Sequence, residues 1–170
     1  MKYIYSTLTP GRPKVQPTVA TKKRRPPYKK PQSIKQLEEL FFIQKQQLKP
    51  NNPAVLKPNL RDDSANGLTD CICKYLTLNG CFCSRINTQG NYNMKLKRWV
   101  YSGCTKGVAD INAVINGKSF QIEVKIGSDK PSDHQLKVKQ QVEASGGCYI
   151  FVKSFDDFLK QINDYLIRTE

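Results

Sequence analysis

Apolar positions recur at helical spacing in several stretches of this chain, and short alternating or continuous apolar runs lie between them. Ile34, Leu37, Leu40, Phe41 and Leu48 follow Ser33-Ile-Lys-Gln36, which has the form of a capping box, and Pro50 stops the run. This predicts a first helix that packs on the rest of the chain in preference to binding a partner. Residues 49–60 contain three prolines and read as a linker. Leu68, Ile72, Tyr75, Leu76 and Leu78 give an apolar face to a second helix over about 63–79, started by Asp62 and Asp63 and closed by Asn79-Gly80. Cys81–Asn87 alternates like a strand, 88–97 is polar and reads as a loop, and Arg98–Tyr101 reads as a short strand edge. Ser132 caps a helix running to Ser145 with Gly146-Gly147 as its stop, and Cys148–Lys153 reads as a buried strand. Ser154 then caps a last helix, with Asp156 and Asp157 in the turn where the helix dipole favours acids. Its apolar face is Phe155, Phe158, Leu159, Ile162, Tyr165 and Leu166.

The centre of the chain holds the clearest pairing signal. Runs Gly107–Ile115 and Lys118–Ile126 flank Asn116-Gly117, the dipeptide that most favours a two-residue hairpin turn. The turn pairs Ile115 with Lys118, Ala113 with Phe120 and Ile111 with Ile122. Asp110 then falls opposite Glu123, and Lys125, two residues on, shares the face of Glu123. Directly opposed like charges destabilise a ladder, and a cation between them removes the penalty. Two carboxylates and an ammonium around one point, backed by an apolar face, suit metal-assisted hydrolysis of a phosphodiester. Hard oxygen ligands hold a magnesium ion with open positions for water and phosphate, and Lys125 orients the water or stabilises charge on phosphate oxygens. The plainer reading is a surface hairpin whose charged face is solvated.

The order from residue 61 onward is α–β–β–β–α–β–α, a sensible α/β core for that length. Composition changes near residue 60: nine of ten prolines lie before residue 59 and nine of ten glycines after residue 66. A basic Pro-rich arm with one helix and a linker is therefore expected over 1–60, and a catalytic domain over 61–170. The net charge of +14 is concentrated at the start, where residues 1–30 carry nine Lys/Arg and no acid. The first 32 residues read as a disordered basic arm, in which Lys22, Lys23, Arg24 and Arg25 are candidate polyanion contacts through counterion release. No run is long and apolar enough to span a membrane, and the start resembles neither a secretory signal nor a mitochondrial presequence.

Six cysteines invite a zinc reading, but Cys71-x-Cys73 and Cys81-x-Cys83 lack the spacing of a finger or ribbon, and Cys71 and Cys73 diverge by about 200° on a helix. No zinc site is expected, and free thiols fit a reducing cytoplasm. His134, the sole histidine, reads as a surface residue at a helix start. Arg85 and Lys106 are candidate phosphate contacts. Tyr92 and Trp99 could stack on an unpaired base, with Trp99 expected in the core.

The spacing Asp-x12-Glu-x-Lys in a hairpin, followed by a Ser-x-x-Gln helix start, resembles the PD-(D/E)XK nuclease superfamily. Within it, Gly107-Val-Ala-Asp-Ile111, Ile122-Glu-Val-Lys125, Gln135 and Gly146-Gly147 resemble the VRR-NUC branch, over roughly residues 62–166. The resemblance implies a restriction-endonuclease-like core and a Mg2+-dependent DNA endonuclease, with Mn2+ as a substitute, acting on junctions or flaps. It implies catalytic roles for Asp110, Glu123 and Lys125, and metal contacts from Asp110, Glu123 and the Val124 carbonyl. Gln135 would lie beside the active site, or serve as the capping partner of Ser132. A further acid from the second helix is expected as a metal contact; Asp70 is the acid well inside it, while Asn66 sits nearer the family's usual Glu position. Small members of the branch act as homodimers in bacterial or phage-infected cells, which implies a possible dimer here. The competing functions are a non-catalytic DNA-binding accessory protein and an RNA nuclease.

Overall fold

The computed structural model describes residues 27–52, 54–87, 90–100 and 103–169. Lys22, Lys23, Arg24 and Arg25, with most of the expected basic arm, lie outside the described residues, as does Tyr101. The elements are α1 (Gln32–Leu48), α2 (Ala65–Leu78), β1 (Phe82–Arg85), β2 (Asn91–Asn93), β3 (Arg98–Val100), β4 (Ile111–Ile115), β5 (Lys118–Val124), α3 (Asp133–Ala144), β6 (Cys148–Val152) and α4 (Phe155–Thr169). A four-stranded mixed sheet has the order β1-β4-β5-β6, with the β5–β6 pair parallel and the other pairs antiparallel. β2 and β3 form a separate two-stranded ribbon. No described helix is long and apolar enough to cross a membrane.

The Asn116-Gly117 turn forms with both residues at positive φ, +48° and +76°, the geometry that makes this dipeptide a hairpin former. It sets the expected register: Ile115 with Lys118, Ala113 with Phe120, Ile111 with Ile122. Alternation then sends Ile111, Ala113, Ile115, Phe120, Ile122 and Val124 to one face, where they are buried with Val152 from β6. Leu68, Ile72 and Leu76 of α2, Phe155, Phe158 and Ile162 of α4, and Ile34 and Leu37 of α1 complete the same core. Each such fully buried side chain contributes about 1.5–3 kcal/mol. The opposite face carries Glu123, and α3 packs there against β6.

α1 is thus part of the core and is tied to the residues after it. Glu38 accepts from Leu60 N at 2.6 Å and from Lys30 Nζ at 2.6 Å. Tyr28 OH donates to Asp62 at 2.8 Å, so the last residues of the expected arm lie on the domain. The change in composition near residue 60 does not coincide with a gap in packing.

Several local expectations are corrected. The Ser33–Gln36 capping box does not form. Pro31, at φ −61° and ψ 157°, is the N-cap and has no side-chain cap, and its carbonyl accepts from Lys35 N at 3.3 Å. Ser33 is therefore already inside the helix, and its Oγ is buried without a hydrogen-bond partner. α2 begins at Ala65, capped by Ser64, whose side chain accepts from Gly67 N. Asp62 has a tertiary role instead of starting that helix: besides Tyr28 OH, it accepts from Phe155 N at 3.1 Å, holding the start of α4. The stretch read as a loop over 88–97 contains β2 and the turn to β3. Trp99 is not in the core but is 66 % exposed, because its ribbon stands apart from the main sheet.

Candidate active site

Asp110 ends the loop that enters β4, and Glu123 lies near the end of the adjacent strand β5. Asp110 is one residue outside the ladder, and its Oδ2 accepts from Val124 N at 3.0 Å. Its own carbonyl accepts from Ile86 N at 2.7 Å. These two bonds fix the carboxylate beside Glu123. Lys125 Nζ lies 3.1 Å from Glu123 Oε1 and 3.4 Å from Asp129 Oδ2. Glu123 and Lys125 are each 5 % exposed, an unusual burial for two charged residues that mutual pairing makes tolerable. Burial pushes the Glu123 carboxyl above its ordinary range, and the neighbouring Asp110 charge adds to the rise against the opposing pull of Lys125.

α3 supplies the third side of the site. Its capping box is complete: Ser132 Oγ accepts from Gln135 N at 3.3 Å, and Gln135 Oε1 accepts from Ser132 N at 2.9 Å. The other end of the same amide donates from Nε2 to Glu123 Oε1 at 2.5 Å. Gln135 is therefore at once the cap and a neighbour of the carboxylate, because a side-chain amide has both an acceptor and a donor end.

Gly107 explains why α3 can come so close. At φ +89°, a Cβ there would meet the His134 carbonyl oxygen at 2.4 Å and Gln135 N at 2.8 Å. The loop before Asp110 lies flat on the first turn of α3 only with glycine at this position. Tyr149 of β6, which the sequence did not single out, holds the same loop by donating its OH to the Gly107 carbonyl at 3.1 Å. Burial, then the charges of Glu123 and Asp110, push its phenol pKa upward, so it stays a neutral donor. Asp129 was also missed. It partners Lys125 from a loop, where no periodic pattern marks it.

The carboxylates open on a cleft of about 500 Å³, also lined by Cys104, Lys106, His134 and Gln135. Both carboxylates line the cleft. Mg2+ takes one or two carboxylates, with water and phosphate completing its shell. Asp110 and Glu123 fit that demand, and among the described residues no group of three or more His, Cys, Asp or Glu side chains could hold a metal.

The remaining candidates are dispersed. Asp70 is exposed on α2, pairs with Lys74 one turn on, and does not line the cleft. Asn66 accepts from Arg85 Nη2 at 2.5 Å, so α2 brings neither a third carboxylate to the cleft nor leaves Arg85 pointing into it. Lys106 and His134 line the cleft wall. Tyr92 and Trp99 form a T-shaped pair on the ribbon, with centroids 6.1 Å apart. Cys71 is buried and its thiol is pushed up to about 12, while Cys73 and Cys83 hydrogen-bond to each other.

No protein-family model matches the sequence, and no curated protein matches it. Among solved structures, one described as "VRR_NUC domain" is similar to this chain, with 22 % identity, a TM-score of 0.41, and coverage of 54 % of this chain and 86 % of its own.

Proposed function

We propose that this protein is a divalent-metal-dependent endonuclease hydrolysing phosphodiester bonds in DNA, with branched or otherwise structured DNA as its substrate. The observation that supports the reading is the pair of acids Asp110 and Glu123 on the cleft wall, with the buried Lys125 ammonium 3.1 Å from Glu123. Such a pair of acids is costly unless a cation joins them. On this reading, the run from α2 to α4 is a restriction-endonuclease-like core carrying the β2–β3 ribbon as an insertion.

A Mg2+ or Mn2+ ion held by Asp110, Glu123 and the Val124 carbonyl would supply charge neutralisation at the phosphate and acidify water. The chain's own groups do the rest. Lys125 presents a compact positive charge to the developing charge on phosphate oxygens, and Glu123 and Asp129 fix its position. Gln135 holds Glu123 in one orientation, so the carboxylate needs no reorganisation when substrate enters. Lys106 on the cleft wall takes a neighbouring phosphate. Lys22, Lys23, Arg24 and Arg25 add sequence-independent affinity for the backbone.

The test is cleavage by the full chain of single-stranded, duplex, flap, nicked and four-way-junction DNA, and of matching RNAs, with Mg2+, Mn2+ or chelator. Metal-dependent cutting of the branched DNAs that disappears in Glu123→Gln is expected. Tight binding without cutting under every metal condition would mark a DNA-binding accessory protein, and preferential cutting of RNA would mark a ribonuclease. Light scattering of the junction complex checks whether two copies act together.

A further inference from the structure

The β2–β3 ribbon holds aromatic and basic side chains in solvent. Its base is closed where Cys104 Sγ approaches the Asn87 carbonyl at 3.7 Å, and Cys104 itself lines the cleft. The segment that follows the ribbon thus reaches the cleft wall at Cys104 and continues along it through Lys106 and Gly107 to Asp110. Its tip is organised by Asn93, whose Oδ1 accepts from Lys95 N at 2.9 Å and Leu96 N at 3.0 Å. Lys97 closes the turn at φ +47°.

Two features bear on what this ribbon could bind. The first is charge: residues 71–109 contain six Lys/Arg and no Asp or Glu, and Lys95, Lys97 and Arg98 are three of the six. The second is ring exposure. Tyr92 and Trp99 are directly opposed across the ribbon, yet Trp99 remains 66 % exposed. A T-shaped contact occupies one face of one ring, so broad π surface stays open beside the lysines. Exposed aromatics interleaved with basic residues are the arrangement that stacks unpaired bases while neighbouring phosphates are neutralised.

We propose that the β2–β3 ribbon grips an unpaired stretch of DNA where it leaves a duplex, with Trp99 stacking on a base and Lys95, Lys97 and Arg98 on the adjoining phosphates. The ribbon thereby selects branched DNA for the cleft. The inference rests on the cleft being a DNA site, but it is tested without cutting.

Trp99 is the sole tryptophan, so its fluorescence reports the contact directly. The full-length protein, in chelator, is titrated with a forked DNA bearing unpaired arms, a blunt duplex of equal length and a forked RNA, with affinity read by anisotropy of the labelled nucleic acid. The forked DNA is expected to quench Trp99 and the blunt duplex to leave it nearly unchanged. Trp99→Ala should weaken fork binding on the order of tenfold and barely change duplex binding, and Trp99→Phe should restore most of the affinity. Lys95→Gln with Lys97→Gln should make the salt dependence shallower by about 1.5 in log–log slope. Absence of quenching, fork affinity unchanged in Trp99→Ala, or equal losses on fork and duplex would overturn the inference. Equal affinity for forked RNA would overturn the assignment to DNA. Fork-selective quenching by a protein that never cuts supports the ribbon's role and overturns the nuclease; cutting without quenching does the reverse.

Discussion

Gln135 Nε2 lies 2.5 Å from Glu123 Oε1, so one amide joins the first turn of α3 to the acid-bearing strand β5. The two jobs of that amide separate by mutation. Gln135→Ala removes half of the capping box, at about 1 kcal/mol, and frees Glu123 to rotate, which should lower the cleavage rate on the order of 10²-fold. Gln135→Glu keeps an acceptor for the cap but places a third carboxylate beside Glu123, so it should melt lower than the parent protein in chelator and recover with Mg2+. Thermal melts and single-turnover rates read both effects. Unchanged cleavage in Gln135→Ala would reduce Gln135 to a helix cap.

Glu123 and Lys125 should show strong coupling in a double-mutant cycle. Lys125→Met leaves the buried Glu123 charge beside Asp110 without its cation, a loss of about 3–5 kcal/mol for a fully buried pair, whereas Glu123→Gln leaves Lys125 with Asp129 at 3.4 Å and should cost less. The double variant Lys125→Met with Glu123→Gln should be destabilised by less than the sum of the two single losses. Asp129→Ala removes the exposed partner at 3.4 Å and should cost little, within about 1 kcal/mol. All variants at Glu123 and Lys125 should be unable to cut, and Lys125→Arg should not rescue, because a planar guanidinium does not fit where an ammonium sits. Urea unfolding of the four proteins closes the cycle, and strict additivity would mean that the 3.1 Å pair contributes no coupling.

The centre of the site was legible in the sequence because a two-residue turn fixes register and a period of two fixes face. Asn116-Gly117 alone puts Ile111 against Ile122 and leaves Asp110 and Glu123 at neighbouring strand ends. Ser132 and Gln135 were legible for a similarly local reason, since a capping box spans four residues. What stayed hidden depends on contacts between distant segments. Asp62 ties Tyr28 to Phe155, 93 residues away along the chain from the latter, and nothing near Asp62 announces this. The close approach of Gly107 to His134 and the bond from Tyr149 are likewise products of the fold. Trp99 misled because a large aromatic beside valine normally marks a core, and burial depends on whether another element covers the ribbon. Pro31 displaced the expected Ser33 cap because a proline already extended at the N-cap starts the helix earlier.

Stability should depend on pH through Glu123. Its carboxyl is held above the ordinary value of 4.5, by burial first and by Asp110 second. Below 4.5 the folded and unfolded chains both keep the proton, and the group contributes nothing. As pH rises from there through the higher folded value, the unfolded chain releases its proton first, so ionisation subtracts stability from the fold. Glu123→Gln removes this loss. In chelator, the melting temperature of Glu123→Gln relative to the parent should therefore climb as pH rises above 4.5, and a pH-independent penalty for the substitution shifts that curve without tilting it. Saturating Mg2+ should flatten or reverse the tilt, because the ion binds the ionised carboxylate of the parent. A difference that falls with rising pH in chelator would show that Lys125 outweighs burial and Asp110.

Truncation should distinguish charge from core. Deleting residues 1–26 removes seven Lys/Arg and no acid. DNA affinity should drop at low salt and its salt dependence should become shallower, with little change in melting and with metal-dependent cutting retained at higher protein concentration. Deleting residues 1–48 removes Ile34 and Leu37 from the core, each worth about 1.5–3 kcal/mol. It also takes away Glu38, leaving the buried Leu60 N–H without its 2.6 Å acceptor, a further loss of about 1–3 kcal/mol. Together these reach several kcal/mol out of a total stability of about 5–15 kcal/mol, so melting should fall by more than about 10 °C or the fragment should fail to fold. Calorimetry of both truncations beside the full chain checks the contrast. If residues 49–170 melt like the whole protein and still cut, α1 is an appendage and the compositional change near residue 60 is the true edge of the catalytic domain.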